Sequence, residues 1–274
     1  MKSKAGAYPY LIWMMIFIIV PVALIFYYGF TEDVNGAFVL SMGNFKRAFE
    51  PVYLNVMRRS IILAFACTII SLGFGYPAAL VMAEKDFDKK GTILFLIIMP
   101  MWMNFLLRTY AWLTILEKNG LVNNALAFLN LPKIDILYTS SAVILGMVYN
   151  FMPFMILPIY TVLKKMDQSI IEAAQDLGAN YWNVFFRIIL PMSIPGVISG
   201  ITMVFMPAVT TFIVSDLLGG KQVEMIGNLI ERQFLTVYDW NFGSALSVIL
   251  MIMILISMAV VSAVDKDGDG GAVI

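Results

Sequence analysis

The chain has 274 residues, 61% of them hydrophobic and only 13% charged, with a formal net charge of zero. Soluble domains carry about 25% charged and about 45–50% apolar residues, so a soluble fold of this composition would lack the polar surface to cover its core. The absence of histidine excludes His-based proton shuttles, triads and metal sites, the single cysteine excludes an intrachain disulfide or a Cys zinc cluster, and no long basic run suggests nucleic-acid binding.

Six stretches are long enough to cross a bilayer, which takes about 20 apolar residues at about 1.5 Å of rise each. In chain order they are 8–30, 60–83, 91–116, 139–163, 192–215 and 243–264. Five carry no acidic or basic side chain, and the third carries Arg108. They are uniformly apolar and do not alternate with period two, so they read as helices rather than barrel strands. The expected fold class is therefore all-α, a polytopic membrane protein with six transmembrane helices. Tyr8, Tyr10, Trp13, Tyr27, Tyr28, Trp102, Tyr110 and Trp112 lie at or near span ends. Amphipathic rings settle there, at the level of the headgroups.

The first span is too long for a signal-peptide core, and no A-x-A-like site closes it, so it reads as a retained helix. Lys2 and Lys4 precede it and favour a cytoplasmic amino terminus. An even span count then places both termini in the cytoplasm. Nine Lys and Arg fall in the cytoplasmic segments, eight in the outer loops and one within a span. The cytoplasmic segments are shorter in total, so their positive density is higher. Residues 1–264 read as one transmembrane domain and 265–274 as a flexible tail. The outer connections 31–59, 117–138 and 216–242 are long, and the cytoplasmic loop Glu84–Lys90 is short. No segment is large enough for a nucleotide-binding domain, and there is no G-x-x-x-x-G-K-[ST] phosphate loop.

Pro21, Pro77, Pro100, Pro153, Pro158 and Pro207 fall inside the expected helices. Each removes a backbone hydrogen bond and tends to kink its helix. Such residues are ordinary in membrane helices, and they also suit a bundle that bends around a pathway. Gly73, Gly75 and Gly146 allow close approach of neighbouring helices.

The connection 166–191 is patterned. Ser169 and Glu172 have capping-box spacing, which predicts a helix from about Ile170. Ile170, Ala173, Ala174 and Leu177 then share one face. Gly178 is suited to end that helix, and Asn180 to cap a second from Tyr181 to Leu190, with Pro191 at the membrane boundary. A short helix, a glycine turn and a second helix at the cytoplasmic surface suit docking into a groove of a soluble partner.

This loop resembles the EAA loop of ABC-importer permeases, whose pattern is Glu-Ala-Ala, three residues, Gly, nine residues, Ile, one residue, Leu-Pro. Glu172, Ala173, Ala174, Gly178, Ile188, Leu190 and Pro191 occupy every fixed position. The similarity extends over most of residues 8–264 to permeases of the spermidine/putrescine type, through 104–112, 153–160, 215–220, 226–230 and 239–245. The resemblance implies a type I ABC-importer permease fold with a cytoplasmic coupling helix, in a bacterial cytoplasmic (inner) membrane. It implies a sister permease, a dimer of ABC ATPase subunits, an extracytoplasmic polyamine-binding protein and surrounding membrane lipid as partners. This chain would bind no cofactor and catalyse nothing, with ATP and Mg held on the ATPase subunits. The tail after Val264 departs from the basic end expected of the type.

A polyamine needs carboxylates for its charge and aromatic faces for its methylenes and ammonium groups. Asp216, Asp239 and Trp240 are the expected entry groups, and Trp102 and Tyr149 could line the pathway lower down. Helix-end solvation or a contact with the binding protein is the plainer reading of the two aspartates, and bundle packing that of Trp102 and Tyr149. Arg108 costs about 2.5–3.5 kcal/mol at a helix centre on insertion scales. It either snorkels or pairs within the assembly, and a structural or gating role suits it, because a cation in the pathway opposes a cationic substrate. Two alternatives remain open at this level: an ABC importer of another small solute, and an ATP-independent secondary transporter.

Overall fold

The computed structural model describes residues 8–34, 37–84 and 91–269. Lys2 and Lys4, nearly all of the Glu84–Lys90 loop and the last five residues of the tail lie outside them.

Helix α1, Pro9–Gly29, is apolar all round, and within this chain only its last residue, Gly29, is buried. That is how a helix looks when lipid or another subunit covers it. Its Met15–Ile19 turn is π-helical and leads into Val20-Pro21, where the wider turn relieves the clash between the proline ring and the preceding carbonyls. A hairpin follows, β1 Thr31–Val34 and β2 Ala37–Leu40, in the antiparallel register Thr31↔Leu40 to Val34↔Ala37. The short α2 covers Gly43–Ala48. Helix α3, Pro51–Ala83, is 33 residues long, about 50 Å at 1.5 Å per residue. It starts nine residues before the expected span, since Arg58 and Arg59 sit within its first turns rather than in a loop.

The expected third span is broken. Helix α4, Thr92–Ile98, passes into a 3-10 turn, Met99–Trp102, and α5 begins afresh at Phe105–Leu116. Pro100 stands at the start of the 3-10 turn, and Asn104 caps α5, its side-chain oxygen accepting from the amides of Leu106 and Leu107 at 2.8 and 3.3 Å. A proline that stops one helix and an Asn that starts another make a 94° bend between the arms Thr92–Trp102 and Phe105–Phe128. The described structure therefore has five long apolar helices, or six spans with this bent pair counted as one.

Helix α6 is Leu121–Phe128, α7 is Ser140–Lys165 and α8 is Gln168–Asp176. Helix α9 runs Tyr181–Thr210 with a π turn at Phe185–Ile189. A second π turn, Ser215–Gly219, and a 3-10 turn, Gly220–Gln222, follow. Helix α10 is Ile226–Arg232, and α11 runs Trp240–Asp269, so the described part of the tail from Asp265 is helical.

The chain divides into two compact units. One joins the amino-terminal residues through Arg58 to Ile226–Leu255. Here the Asn241 amide donates to the carbonyls of Tyr28 and Thr31 at 3.0 and 2.7 Å, and Asn44 donates to Thr31 at 3.1 Å. These bonds satisfy carbonyls freed where α1 ends, and Phe242, Ala245 and Leu246 are fully buried beneath them.

The other unit spans Arg59–Met225 and the end of α11. Its core is α7 against α9, with Met147, Met155, Ile159, Val204 and Ala208 fully buried. Gly200 makes this approach possible: a Cβ there would lie 2.7 Å from the Met155 sulfur and 3.1 Å from its carbonyl oxygen. Small residues at such crossings let helices meet where lipid supplies no hydrophobic drive.

Candidate coupling loop and pathway residues

Helix α8 is capped by Asp167, whose carboxylate accepts from the Ser169 amide at 2.9 Å. The capping-box expectation is corrected here. The acid two residues upstream takes the cap, and Ser169 becomes a helical residue. The helix ends in a Schellman motif. The Gly178 amide donates to Gln175 at 2.9 Å and the Ala179 amide to Ala174 at 3.0 Å. Gly178 has φ +82°, and a Cβ there would meet no atom within 4 Å. Its requirement is thus for the left-handed conformation, not for space. Asn180 caps α9, its oxygen accepting from the Asn183 amide at 2.8 Å.

No residue of α8 is buried. Glu172 and Ala173 are exposed, Ala174 is half-buried, and Leu177 is 90% exposed. Tyr181, Trp182 and Phe186 extend this open apolar surface onto α9. Ile188 and Leu190 are half-buried, and Pro191 follows the π turn that gives its ring room.

A polar link invisible in the sequence lies at the base of the loop. The Ser193 hydroxyl donates to the Leu190 carbonyl at 2.8 Å, so the Tyr76 hydroxyl, 2.9 Å away, donates to Ser193. The Tyr76 ring also meets Phe185 edge-on at 6.0 Å. Motion of the loop is thereby tied to α3 through a buried hydrogen bond and a ring contact. Tyr76→Phe should remove the bond while keeping the ring, a loss of about 1 kcal/mol. Thermal unfolding of the purified complex, with and without the hydroxyl, measures it.

The pathway candidates are placed as follows. Asp216 lies in the Ser215–Gly219 π turn with its side chain exposed, its amide donating to Phe212 at 2.8 Å. Asp239 is engaged at both oxygens. One accepts from the Phe242 amide at 3.0 Å, capping α11, and the other from Arg47 at 2.7 Å. The Arg47 guanidinium lies over the Phe242 ring at 4.0 Å. Burial works against its charge, but the hydrogen bonds to Asp239 and Tyr53 outweigh it and raise the Arg47 pKa. Trp240 meets Tyr28 and Phe234 edge-on at 6.2 and 6.1 Å.

Trp102 lies on the 3-10 turn, 76% exposed, its ring edge-on to Phe95 at 5.9 Å. Tyr149 meets Trp112 at 5.3 Å, and both line an apolar cavity of about 630 Å³ with Pro100, Met152 and Pro153. Asp239 and Trp240 thus belong to the first unit, and Asp216, Trp102 and Tyr149 to the second.

Arg108 does not snorkel. It is 8% exposed on α5, between the Phe105–Phe151 and Trp112–Tyr149 ring contacts to α7. Among the described residues its Nε and Nη1 have no hydrogen-bond partner, and neither has the buried Oδ1 of Asn150 on α7.

A family model, binding-protein-dependent transport system inner membrane component, matches residues 52–267. The spermidine/putrescine transport system permease protein PotB of Haemophilus influenzae (strain Rd) is 39% identical over 260 residues, covering 93% of this chain and 91% of that protein. PotB of Escherichia coli K12 is 38% identical over 246 residues, covering 88% and 90%. A chain of the crystal structure of a bacterial ABC transporter involved in alginate import shares the fold, with TM-score 0.78 at 18% identity, over 98% of this chain and 95% of that one.

Proposed function

The chain belongs to the family of binding-protein-dependent transport system inner membrane components, and from that membership we propose that it is one of two permease subunits of an ATP-driven polyamine importer. The relatives named for spermidine and putrescine transport support the substrate class, since they match nearly the whole chain. The observation that carries the coupling role is α8, a capped nine-residue helix with no buried residue, held out by the Gly178 turn. An autonomous carrier has no use for such an element.

In this reading the loop 166–191 faces the cytoplasm, as do both termini. The apolar face with Leu177 docks into an ATPase subunit. Two such subunits hold ATP and Mg and hydrolyse the nucleotide, and the permease itself catalyses nothing. An extracytoplasmic binding protein delivers the polyamine, and a sister permease completes the pathway. Asp216 offers a carboxylate to an arriving ammonium, and Tyr149, Trp102 and Trp240 offer aromatic faces. Asp239 has to give up Arg47 before it can do the same.

Leu177→Asp tests the docking. Burying a leucine side chain contributes about 1.5–3 kcal/mol, so its loss should weaken ATPase association by at least about tenfold. Co-purification and titration of the ATPase subunits onto the permease pair measure this. Undiminished association would remove the loop from the interface.

A further inference from the structure

The buried guanidinium of Arg108 calls for an acceptor. Its Nε and Nη1 are shielded from solvent and have no hydrogen-bond partner among the described residues, and its guanidinium approaches the Phe105 ring at 5.7 Å. A guanidinium stays protonated in proteins and carries only donors. Holding it unpaired in an apolar bundle is unfavourable, so a residue in this state has a partner in some other conformation.

Helix α5 packs on α6, α7 and the Ser215–Gly219 π turn. Helices α5, α6 and α7 contain no acidic residue. The π turn contains one, Asp216. Its carboxylate is exposed and makes no ion pair among the described residues. A guanidinium with two unmet donors and an exposed carboxylate thus occupy neighbouring elements.

The π turn is also a segment that can change register. It holds one residue more per turn than an α-helix, and such bulges cluster at functional sites. Non-helical Thr211 and Phe212 lie two residues before it, ahead of helical Ile213 and Val214, and Gly220 at φ +54° follows it. Returning the turn to α register would rotate a side chain by about 100°, which is enough to carry Asp216 from an exposed to an inward position.

We propose that Arg108 is a built-in counter-cation for Asp216, taking the carboxylate in the state of the pathway that releases substrate. The proposal rests on the polyamine reading for the identity of the competing cation. In the state described here Arg108 is apart from Asp216, whose exposed carboxylate is open to an arriving ammonium. When the pathway changes state, Arg108 takes Asp216 back and the substrate loses its anchor. A carboxylate strong enough to capture a polycation can then release it without weakening the site itself.

The test uses the whole importer, with its sister permease, ATPase subunits and binding protein, in a Cys67→Ala background. Arg108→Cys with Asp216→Cys is treated with a short bifunctional thiol reagent, with and without a non-hydrolysable ATP analogue. The expected result is cross-linking in one nucleotide state and not in the other. Absence of cross-linking in both states, or equal cross-linking in both, overturns the pairing. In spermidine uptake, Arg108→Gln should lower kcat and KM together by about tenfold, because substrate is bound but not displaced. Added to Asp216→Asn, it should change nothing further, and an additive loss overturns the proposal. State-dependent cross-linking without spermidine transport would leave the pairing standing and overturn the polyamine reading alone.

Discussion

Gly178→Pro should abolish ATP-driven uptake while the chain still inserts and assembles with its sister permease. The position has φ +82°, and proline is locked near −65°. The substitution also removes the amide that donates to Gln175 at 2.9 Å. Proline cannot take the left-handed conformation, which costs even an ordinary L-residue about 1–2 kcal/mol, and the lost hydrogen bond costs about 1 kcal/mol more. Together these would displace α8 relative to α9 in nearly all molecules, and uptake should fall by about 100-fold. Gly178→Ala keeps the amide and has open space around it, but it carries the left-handed cost of about 1–2 kcal/mol, so it should lose some activity and retain more than Gly178→Pro. ATPase and uptake assays on the three proteins give the comparison, and an unaffected Gly178→Pro protein would count heavily against the coupling role.

Asp216→Asn should slow uptake with the complex intact. Asn keeps the shape and loses the charge, so the exposed π turn has no reason to unfold. A hydrogen bond to a charged group contributes about 1.5–3 kcal/mol, equivalent to about 10–150-fold in kcat/KM. Asp239→Asn should behave differently. Its carboxylate caps α11 and pairs with Arg47, so the damage should appear in stability as well as in transport. Unchanged uptake kinetics in Asp216→Asn would remove that residue from the pathway.

The features legible in the sequence are the local ones. Gly178 and Asn180 announce a helix end and a helix start, because left-handed turns and side-chain caps are chosen by the residue itself. The apolar lengths give the spans, since the bilayer sets them. Hydropathy alone cannot register the break at Pro100 and Asn104, because both arms are apolar and the bend is made by backbone chemistry. Two capping residues lay within reach of one helix start, and Asp167 rather than Ser169 took the role. The partners of Asp239 and Tyr76 were hidden for another reason. Arg47 is 192 residues from Asp239, and Ser193 is 117 from Tyr76, so only the packed fold brings them together. The unmet donors of Arg108 and acceptor of Asn150 likewise arise from which helix faces meet, which no local pattern encodes.

The most direct measurement is labelled spermidine uptake into proteoliposomes holding the reconstituted importer, with ATP and the binding protein each added or omitted. The account predicts uptake only when both are present. ATP-driven uptake of a different solute, with spermidine ignored, would contradict the polyamine assignment. Uptake by this chain alone, without ATP, would contradict the coupling role of the loop and with it the central claim.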